Sequence, residues 1–348
     1  ESDKVLSFSG LLEENRGSFQ EMPDPDQLCT IMFTSGTTGK SKGVMLTHRN
    51  MAENATCLDM KIPAGTISMT LLPINHVYCL TMDIIKGLHI GLVICINDSI
   101  MHVQRNMKLF KPEIVLLVPL VIESIYGKLK DAGSLIPKKM VAKAAFGGNL
   151  RIICSGGAYL DPDYVDKFKE YGITILQGYG MTECSPVIST NLESKGVDEE
   201  IWVRGSSVMQ GYYKMPEQTA ETLEDGWLKT GDLGYVDEDD FVYITGRRKN
   251  LIILANGENV SPEELENQLS RSALVKEILV REKDKVIEAE IFPDYEYAKK
   301  KHVKDIQGKL QELVDGFNQD MPVYKRIYSL IVRETEFEKT PSKKIKRF

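Results

Sequence analysis

Apolar segments of strand type alternate with helical patterns through the first half of the chain. The apolar segments occupy residues 28–33, 67–72, 92–96, 113–118, 150–154 and 173–177. Helical spacing of apolar residues falls between them, at 47–60, 78–90, 101–110, 120–132 and 161–171. Because parallel strands need a crossover connection, this alternation predicts an α/β fold with a parallel sheet covered by helices on both faces. Loops that follow such strands meet at the carboxyl edge of the sheet, where ligands bind.

The pattern changes after Asn191. Residues 200–213 and 227–245 form short strand-like segments with turns, which predicts a small β-rich subdomain. Residues 1–27 are polar and predict a connection into the first strand rather than the start of a fold. A polar bridge at 246–250 divides the chain into a large domain, residues 1–248, and a small one, residues 249–348.

The small domain has the pattern of an α+β unit. A strand comes first, followed by a helix, a hairpin at 275–292, a long helix at 297–318 and a strand at 326–333. Ser261-Pro262-Glu263-Glu264 predicts the start of the first helix, because it combines a capping residue, a proline at the first helical position and acids in the first turn.

Charge and composition exclude several classes of protein. Lysine and arginine number 43 against 50 acidic residues, a net charge of −7, which argues against a dedicated nucleic-acid binder. The longest apolar run, residues 114–122, is about half as long as a bilayer helix and contains Pro119, so no transmembrane segment is predicted. The six cysteines show no CxxC pair, which favours reduced thiols and a cytoplasmic protein. No secretory signal pattern follows Glu1.

A hydroxyl- and glycine-rich loop follows the first strand. It reads Thr34-Ser35-Gly36-Thr37-Thr38-Gly39-Lys40-Ser41-Lys42-Gly43. Glycines let the backbone approach an anion, hydroxyls and amides donate hydrogen bonds, and the lysines supply positive charge, so the loop predicts a polyphosphate site. Gly39-Lys40-Ser41 also matches the end of the Walker A pattern, but Thr34 stands where that pattern requires glycine.

The loop resembles the signature loop of the adenylate-forming superfamily, which includes acyl-CoA synthetases, luciferases and peptide-synthetase adenylation domains. Ser41 replaces the usual proline. Further stretches match in the family's order: Ser155-Gly156-Gly157-Ala158, Gln177-Gly178-Tyr179-Gly180-Met181-Thr182-Glu183, Lys229-Thr230-Gly231-Asp232 followed by Arg247, Asn256 to Pro262, and the tail Glu338 to Arg347.

This resemblance implies ATP, Mg²⁺ and coenzyme A as ligands and assigns a role to each motif. The phosphate loop contributes Thr34, Ser35, Gly36, Thr37, Thr38, Gly39 and Lys42, and the adenine segments contribute Gly156, Gly157, Ala158, Gln177, Gly178, Tyr179 and Gly180. Thr182 contacts phosphate, Glu183 binds magnesium, Asp232 binds the ribose, and Arg247 binds the ribose or phosphate. Gly257 lines the pantetheine channel and Lys344 is the catalytic lysine, although Lys343 replaces the family's preceding glycine. The small domain is then a mobile lid that turns about Lys249.

The resemblance also indicates which class of carboxylic acid is the substrate. His76 occupies the histidine position of the family's acyl pocket, and no acidic residue lies between Leu71 and Met82, where amino-acid-activating members place an aspartate. The overall likeness is to bacterial long-chain-fatty-acid–CoA ligases, which predicts a fatty acid as substrate. An aryl or medium-chain acid, a truncated nucleotide-binding module without full catalysis, and a kinase or NTPase remain alternatives. The likeness implies small-molecule partners, leaves room for peripheral membrane contact and leaves the oligomeric state open.

Two parts of the family pattern are missing from the sequence. The family's first subdomain is absent before Glu1, and the segment between Asn191 and Ile201 is several strands shorter than in the family. This predicts either a truncated form or a sequence from which disordered residues are omitted. The nucleotide motifs survive both losses.

Overall fold

The structure is a computed structural model. It describes residues 22–34, 41–131, 136–189, 193–197, 200–254, 258–339 and 345–347, together with Gly10, Glu13, Glu14, Arg16 and Gly17.

The chain up to residue 189 builds two sheets and the helices that connect their strands. The strands are β1 (Leu28–Thr34), β2 (Lys42–Thr47), β3 (Ile67–Thr70), β4 (Val93–Ile96), β5 (Ile114–Leu117), β6 (Ile152–Ser155) and β7 (Thr174–Gln177). The α-helices are α1 (His48–Thr56), α2 (Val77–Cys79), α3 (Lys86–Ile90), α4 (Val103–Phe110), α5 (Pro119–Lys130), α6 (Lys138–Phe146) and α7 (Asp163–Lys169). Short turns of 3₁₀ helix cover Ile100–His102 and Thr182–Cys184.

A π-helical segment, Leu80–Ile85, joins α2 to α3, so residues 77–90 form one continuous helix. Insertions of this kind are frequent at functional sites.

The remaining chain is mostly antiparallel. Its strands are β8 (Glu193–Val197), β9 (Glu200–Arg204), β10 (Gly211–Tyr212), β11 (Leu223–Glu224), β12 (Trp227–Val236), β13 (Val242–Arg247), β14 (Ile252–Ile253), β15 (Asn259–Val260), β16 (Val275–Lys283), β17 (Val286–Pro293) and β18 (Ile327–Val332). Its helices are α8 (Pro216–Thr222), α9 (Pro262–Leu269), α10 (Tyr295–Lys300) and α11 (Ile306–Asp320), with 3₁₀ turns at Arg248–Asn250 and Val323–Lys325.

The predicted parallel sheet is confirmed. Its order is β4-β3-β5-β6-β7, and every neighbouring pair is parallel. Successive residues of a strand point to opposite faces. Val115, Leu117 and Ile153 pack in a core with side chains of α4, α6 and α7, while Ile114, Leu116 and Cys154 face the helix at 77–90. Helices therefore cover both faces of the sheet.

The first predicted strand lies elsewhere. β1 forms at the predicted residues but pairs antiparallel with β2, in the sheet β1-β2-β10, and not in the parallel sheet. The connection from Thr34 to Lys42 is too short for a parallel crossover, so the chain turns back as a hairpin. Neither β2 nor α6 is apparent in the sequence pattern.

The predicted β-rich subdomain is also confirmed. β11-β12-β9-β8 are neighbours in one antiparallel sheet, and β13 pairs with β12.

The C-terminal α+β unit has its own core. Buried side chains of α9, α11 and the sheet β16-β17-β18 form one apolar cluster. Helix α9 begins at Pro262 as predicted, but the Ser261 hydroxyl does not cap it; the hydroxyl donates instead to the Thr245 carbonyl at 2.9 Å. The predicted long helix is wrong. It divides into α10 and α11, because His302 has a positive φ of 55° and Asp305 caps the second helix through the Gly308 amide.

Candidate active site

The two predicted adenine segments lie side by side at the carboxyl edge of the parallel sheet. Ser155 and Gln177 are register partners at the ends of β6 and β7, and the Gly178 amide donates to the Ser155 carbonyl at 2.9 Å. Gly156 is buried against Tyr78; a Cβ at this glycine would stand 3.0 Å from the tyrosine ring. Gly157, Ala158 and Gln177 are exposed at the same edge. Small residues thus leave open surface where two strands end.

A tight return of the chain fixes Thr182 and Glu183. Gly180 bridges to Val187, and a Cβ at Gly180 would stand 2.0 Å from the Pro186 carbonyl oxygen. Only glycine fits this approach. The return leads into the 3₁₀ turn that carries Thr182, partly buried, and Glu183, 8% exposed.

Glu183 is connected to the ends of the phosphate loop by one tyrosine. The Tyr212 hydroxyl donates to Glu183 Oε1 at 2.9 Å, and Lys42 Nζ lies 4.5 Å from the centre of the Tyr212 ring. Thr34 pairs with Lys42 across β1 and β2, so both ends of the loop lie beside each other. Burial, and then the Glu183 charge, raise the pKa of Tyr212, which keeps the phenol protonated as a donor.

A second chain of contacts joins Tyr179, Asp232 and Arg247. The Tyr179 hydroxyl donates to Asp232 Oδ2 at 2.7 Å, and Arg247 Nε donates to Asp232 Oδ1 at 2.5 Å. Asp232 and Arg247 are register partners on β12 and β13, which places them together by backbone pairing. Asp232 is 2% exposed. Burial and the aspartate charge raise the pKa of Tyr179 well above its usual value, so its hydroxyl also remains a donor.

His76 is exposed at the start of α2. Its Nδ1 accepts a hydrogen bond from the Tyr78 amide at 3.2 Å, so the imidazole serves as the N-cap of this short helix. Tyr78 in turn donates to the Cys154 carbonyl at 3.1 Å and packs on Gly156. The predicted acyl-pocket segment is therefore adjacent to the predicted adenine segment.

An apolar cavity lies between the helix at 77–90 and the parallel sheet. Its volume is about 90 Å³. Its lining is mostly apolar and reaches Ser155, Gln177 and Gly178 at the carboxyl edge of the sheet. The cavity thus extends to the adenine segments.

Two charged residues line the same cavity. Asp83 is 1% exposed and accepts from the Ser68 hydroxyl at 2.8 Å, and burial raises its pKa. Lys86 is 2% exposed and donates to the carbonyls of Ala55 and Leu58; burial lowers its pKa.

The Asp83 carboxylate lies against β3. Burial raises its pKa, and hydrogen bonds with Ser68 and Thr70 oppose that rise. Ser68 is level with Thr174 across the sheet, and Thr70 is level with Leu176, one residue before Gln177.

Several predicted site residues lie outside the described residues. They are Ser35, Gly36, Thr37, Thr38 and Gly39 of the phosphate loop, Gly257 of the pantetheine loop and Lys344 of the tail.

Glu183 is the residue that would bind the magnesium ion implied by the resemblance. Within the described residues, no three His, Cys, Asp or Glu side chains form a metal-binding cluster. Mg²⁺ typically binds one or two carboxylates and completes its shell with phosphate oxygens and water. A single carboxylate thus fits a magnesium ion carried by ATP.

The sequence did not predict Tyr212 or Tyr78 as site residues. Tyr212 contacts Glu183 from 29 positions away, and Tyr78 contacts Cys154 from 76 positions away. A single sequence carries no local signal for such pairs, although Tyr78 ends the segment that contains His76.

Comparisons with known proteins agree with these features. The family model of AMP-binding enzymes matches residues 2–199, and the model of the AMP-binding enzyme C-terminal domain matches residues 249–348. Within the described residues, no helix has both the length and the apolar character needed to cross a bilayer.

Curated relatives match over most of this chain. Long-chain-fatty-acid–CoA ligase FadD15 of Mycobacterium bovis is 31% identical over 311 residues, covering 72% of this chain and 52% of the relative. 4-coumarate–CoA ligase 1 of Oryza sativa subsp. japonica is 34% identical over 285 residues, covering 70% and 49%. The chain thus spans about half the length of these relatives.

A solved structure shares the fold. It is o-succinylbenzoate coenzyme A synthetase from Bacillus subtilis in complex with ATP and a magnesium ion, 25% identical with a TM-score of 0.75, and the match covers 94% of this chain and 71% of that one. The match of the family model to more than half of the sequence, together with the relatives above 30% identity, shows that the chain belongs to the AMP-binding enzyme family.

Proposed function

We propose that the protein activates a carboxylic acid with ATP to form an acyl-adenylate and transfers the acyl group to coenzyme A. One observation carries the proposal. The Tyr179-Asp232-Arg247 and Glu183-Tyr212-Lys42 contact chains both start in the segment that follows β7, at the sheet edge that the lining of an apolar cavity reaches. Such an arrangement suits a nucleotide bound at the sheet edge and an acyl group bound within the cavity.

The chemistry needs charge compensation rather than a general base. A carboxylic acid with a pKa of ~4 is already ionised at neutral pH. The obstacle is the approach of this anion to a polyphosphate, which positive charge and hydrogen-bond donors offset. In the proposal Lys42, Thr34 and Thr182 contact the phosphates, Asp232 and Arg247 bind the ribose or phosphate, and Tyr179 lies against the adenine.

Glu183 would hold magnesium, which when bound neutralises charge on phosphate oxygens. The phosphate-loop residues 35–39 and Lys344 take the roles that the family resemblance implies.

A long-chain fatty acid is the proposed substrate, in keeping with the name of the mycobacterial relative. The largely apolar cavity favours an alkyl or aryl group over a polar one. An amino acid is not favoured, because no acidic residue lies between Leu71 and Met82, where amino-acid-activating members of the family place an aspartate. An aryl acid is the second candidate, since the rice relative is named for 4-coumarate and is 34% identical.

The two half-reactions divide between faces of the C-terminal unit in this proposal. Residues 1–248 form the adenylation domain, and residues 249–348 form a mobile lid that presents Lys344 for adenylation and the loop containing Gly257 for thioester formation.

We place the protein in the cytoplasm, because none of its six cysteines, all of them described, forms a disulfide.

Exchange of labelled pyrophosphate into ATP tests the proposal. The exchange should depend on an added carboxylic acid, and ATP binding without exchange would leave only a nucleotide-binding module. Release of ADP would favour an NTPase. Lys344→Ala should slow exchange severely and spare thioester formation from supplied acyl-adenylate. Equal loss in both steps would contradict the role of this lysine.

A further inference from the structure

A buried ion pair holds the C-terminal tail. Glu266 on α9 is 9% exposed, and its two carboxylate oxygens accept from both terminal nitrogens of Arg347, Nη1 to Oε1 at 2.9 Å. The Val280 amide of β16 donates to the same Oε1 at 2.7 Å. The paired geometry fixes the direction as well as the position of the guanidinium.

Other contacts of the tail are weaker or less specific. Ile345 pairs with Lys339 in an isolated bridge, and the Lys346 amide donates to the Glu338 carbonyl at 2.8 Å. The Ile345 side chain packs against a small cluster of Leu279, Phe292 and Phe337. These contacts dock the tail on β16 and β17, and among the described tail residues Arg347 is the one that contacts α9.

Stability alone does not account for this buried ion pair. Removing two charges from water offsets most of their attraction, and apolar residues of similar volume often hold a core equally well. Burial dominates at Glu266 and raises its pKa to about 7, although Arg347 acts in the opposite direction. A second carboxylate, Glu263, lies 3.4 Å from the same guanidinium. Such a costly arrangement suggests a positional role.

We propose that Glu266 and Arg347 are positioning residues for adenylation, because their ion pair fixes the tail three residues after Lys344. The inference rests on the proposed function, in which this lysine acts at the α-phosphate. A bidentate pair resists both translation and rotation of Arg347, so it restricts where the preceding residues can reach. Thioester formation does not use the lysine and is therefore independent of the pair.

Separate assays of the two half-reactions test the inference, at a pH well above neutral so that Glu266 is ionised. Arg347→Met should reduce acid-dependent pyrophosphate exchange by about 10²-fold, as expected for a misplaced reacting group. Thioester formation from supplied acyl-adenylate should stay unchanged. Arg347→Lys, which keeps the charge and loses the bidentate geometry, should recover part of the exchange rate.

A double variant and a matched control exclude a simple folding effect. Glu266→Gln with Arg347→Met leaves no unpaired charge at this site and keeps an amide oxygen to accept from the Val280 N–H, so it should melt near the wild-type temperature and still exchange slowly. Glu288→Gln removes another buried carboxylate of the same domain, 4% exposed and bonded to Ser329 and Arg281, and should leave both half-reactions intact.

Three outcomes would overturn the inference: wild-type exchange in the double variant, equal loss of both half-reactions in folded Arg347→Met, or the same selective loss in Glu288→Gln. Absence of exchange in the wild-type protein would instead refute the proposed function.

Discussion

Replacing Asp232 by asparagine tests the ribose role most directly. In the structure its two oxygens accept from Tyr179 at 2.7 Å and from Arg247 at 2.5 Å, and the side chain is buried. A carboxylate oxygen can accept two hydrogen bonds, so ribose hydroxyls can add to these contacts. Asparagine keeps the shape but turns an NH₂ group toward one of the donors. One charge-assisted bond to the sugar is then lost.

The expected magnitude follows from that single bond. Hydrogen bonds to charged groups contribute ~1.5–3 kcal/mol, so the dissociation constant of ATP should rise by about 10- to 150-fold. The fold should tolerate the change, because the Arg247 side chain is 41% exposed and can turn to water. Titration calorimetry with ATP measures the effect.

Deoxy-ATP, which lacks one ribose hydroxyl, makes the test specific. The wild-type protein should discriminate against it, and Asp232→Asn should not, because the partner of the hydroxyl is already gone. Glu200→Gln is the control: Glu200 is also buried and pairs with Arg248 at 2.7 Å in the same sheet, but has no proposed ribose contact. Equal discrimination by the wild type and Asp232→Asn would refute the argument.

Further predictions concern the turn, the acid, the linker and pH. Gly180→Ala should destabilise the large domain and lower ATP affinity, measured by thermal melting and calorimetry, because its Cβ would meet the Pro186 carbonyl at 2.0 Å. In a chain-length series of acids, kcat/KM should rise about fourfold per methylene, since each buried methylene contributes ~0.8 kcal/mol; a preference for aryl acids would refute the fatty-acid proposal. Lys249→Pro, with φ fixed near −65° and no amide hydrogen, should slow one half-reaction far more than the other; equal rates would place the hinge elsewhere. Burial raises the pKa of Glu266 to about 7 from 4.5. Protonation of Glu266 therefore contributes roughly 1–3 kcal/mol of stability, which is complete below pH ~4.5 and lost as pH rises through ~7. Glu266→Gln should abolish this pH dependence in urea unfolding of the C-terminal domain, in which Arg347 and Glu263 are the charges that face Glu266.

The local sequence pattern was sufficient to predict the strands that end at the carboxyl edge of the parallel sheet. Short apolar runs that end in glycine-containing turns predicted β6 and β7 to within two residues, and their order in the chain predicted parallel pairing. The position of Gly156 beside Gly178 follows from those two facts, because parallel neighbours end at the same edge.

Long-range pairing was not accessible from the same pattern. The sequence shows β1 as an apolar run but does not say which strand it joins, and pairing with β2 depends on a hairpin whose second strand looks like the start of a helix. Tyr212 approaches Glu183 only because β10 adds to β2. The helix break near His302 depends on one residue with positive φ, which composition does not reveal.

The proposed hinge at Lys249 is flanked by two anchored side chains. Arg248, just before it, donates to buried Glu200 of the large domain at 2.7 Å. Asn250, just after it, donates to Glu263 of α9 in the small domain. The residues on either side of Lys249 are therefore anchored to different parts of the chain. Rotation at Lys249 can leave both of these anchors in place and would break the bond from the Ser261 hydroxyl to the Thr245 carbonyl, whereas rotation one residue earlier or later would also have to break one of the anchors.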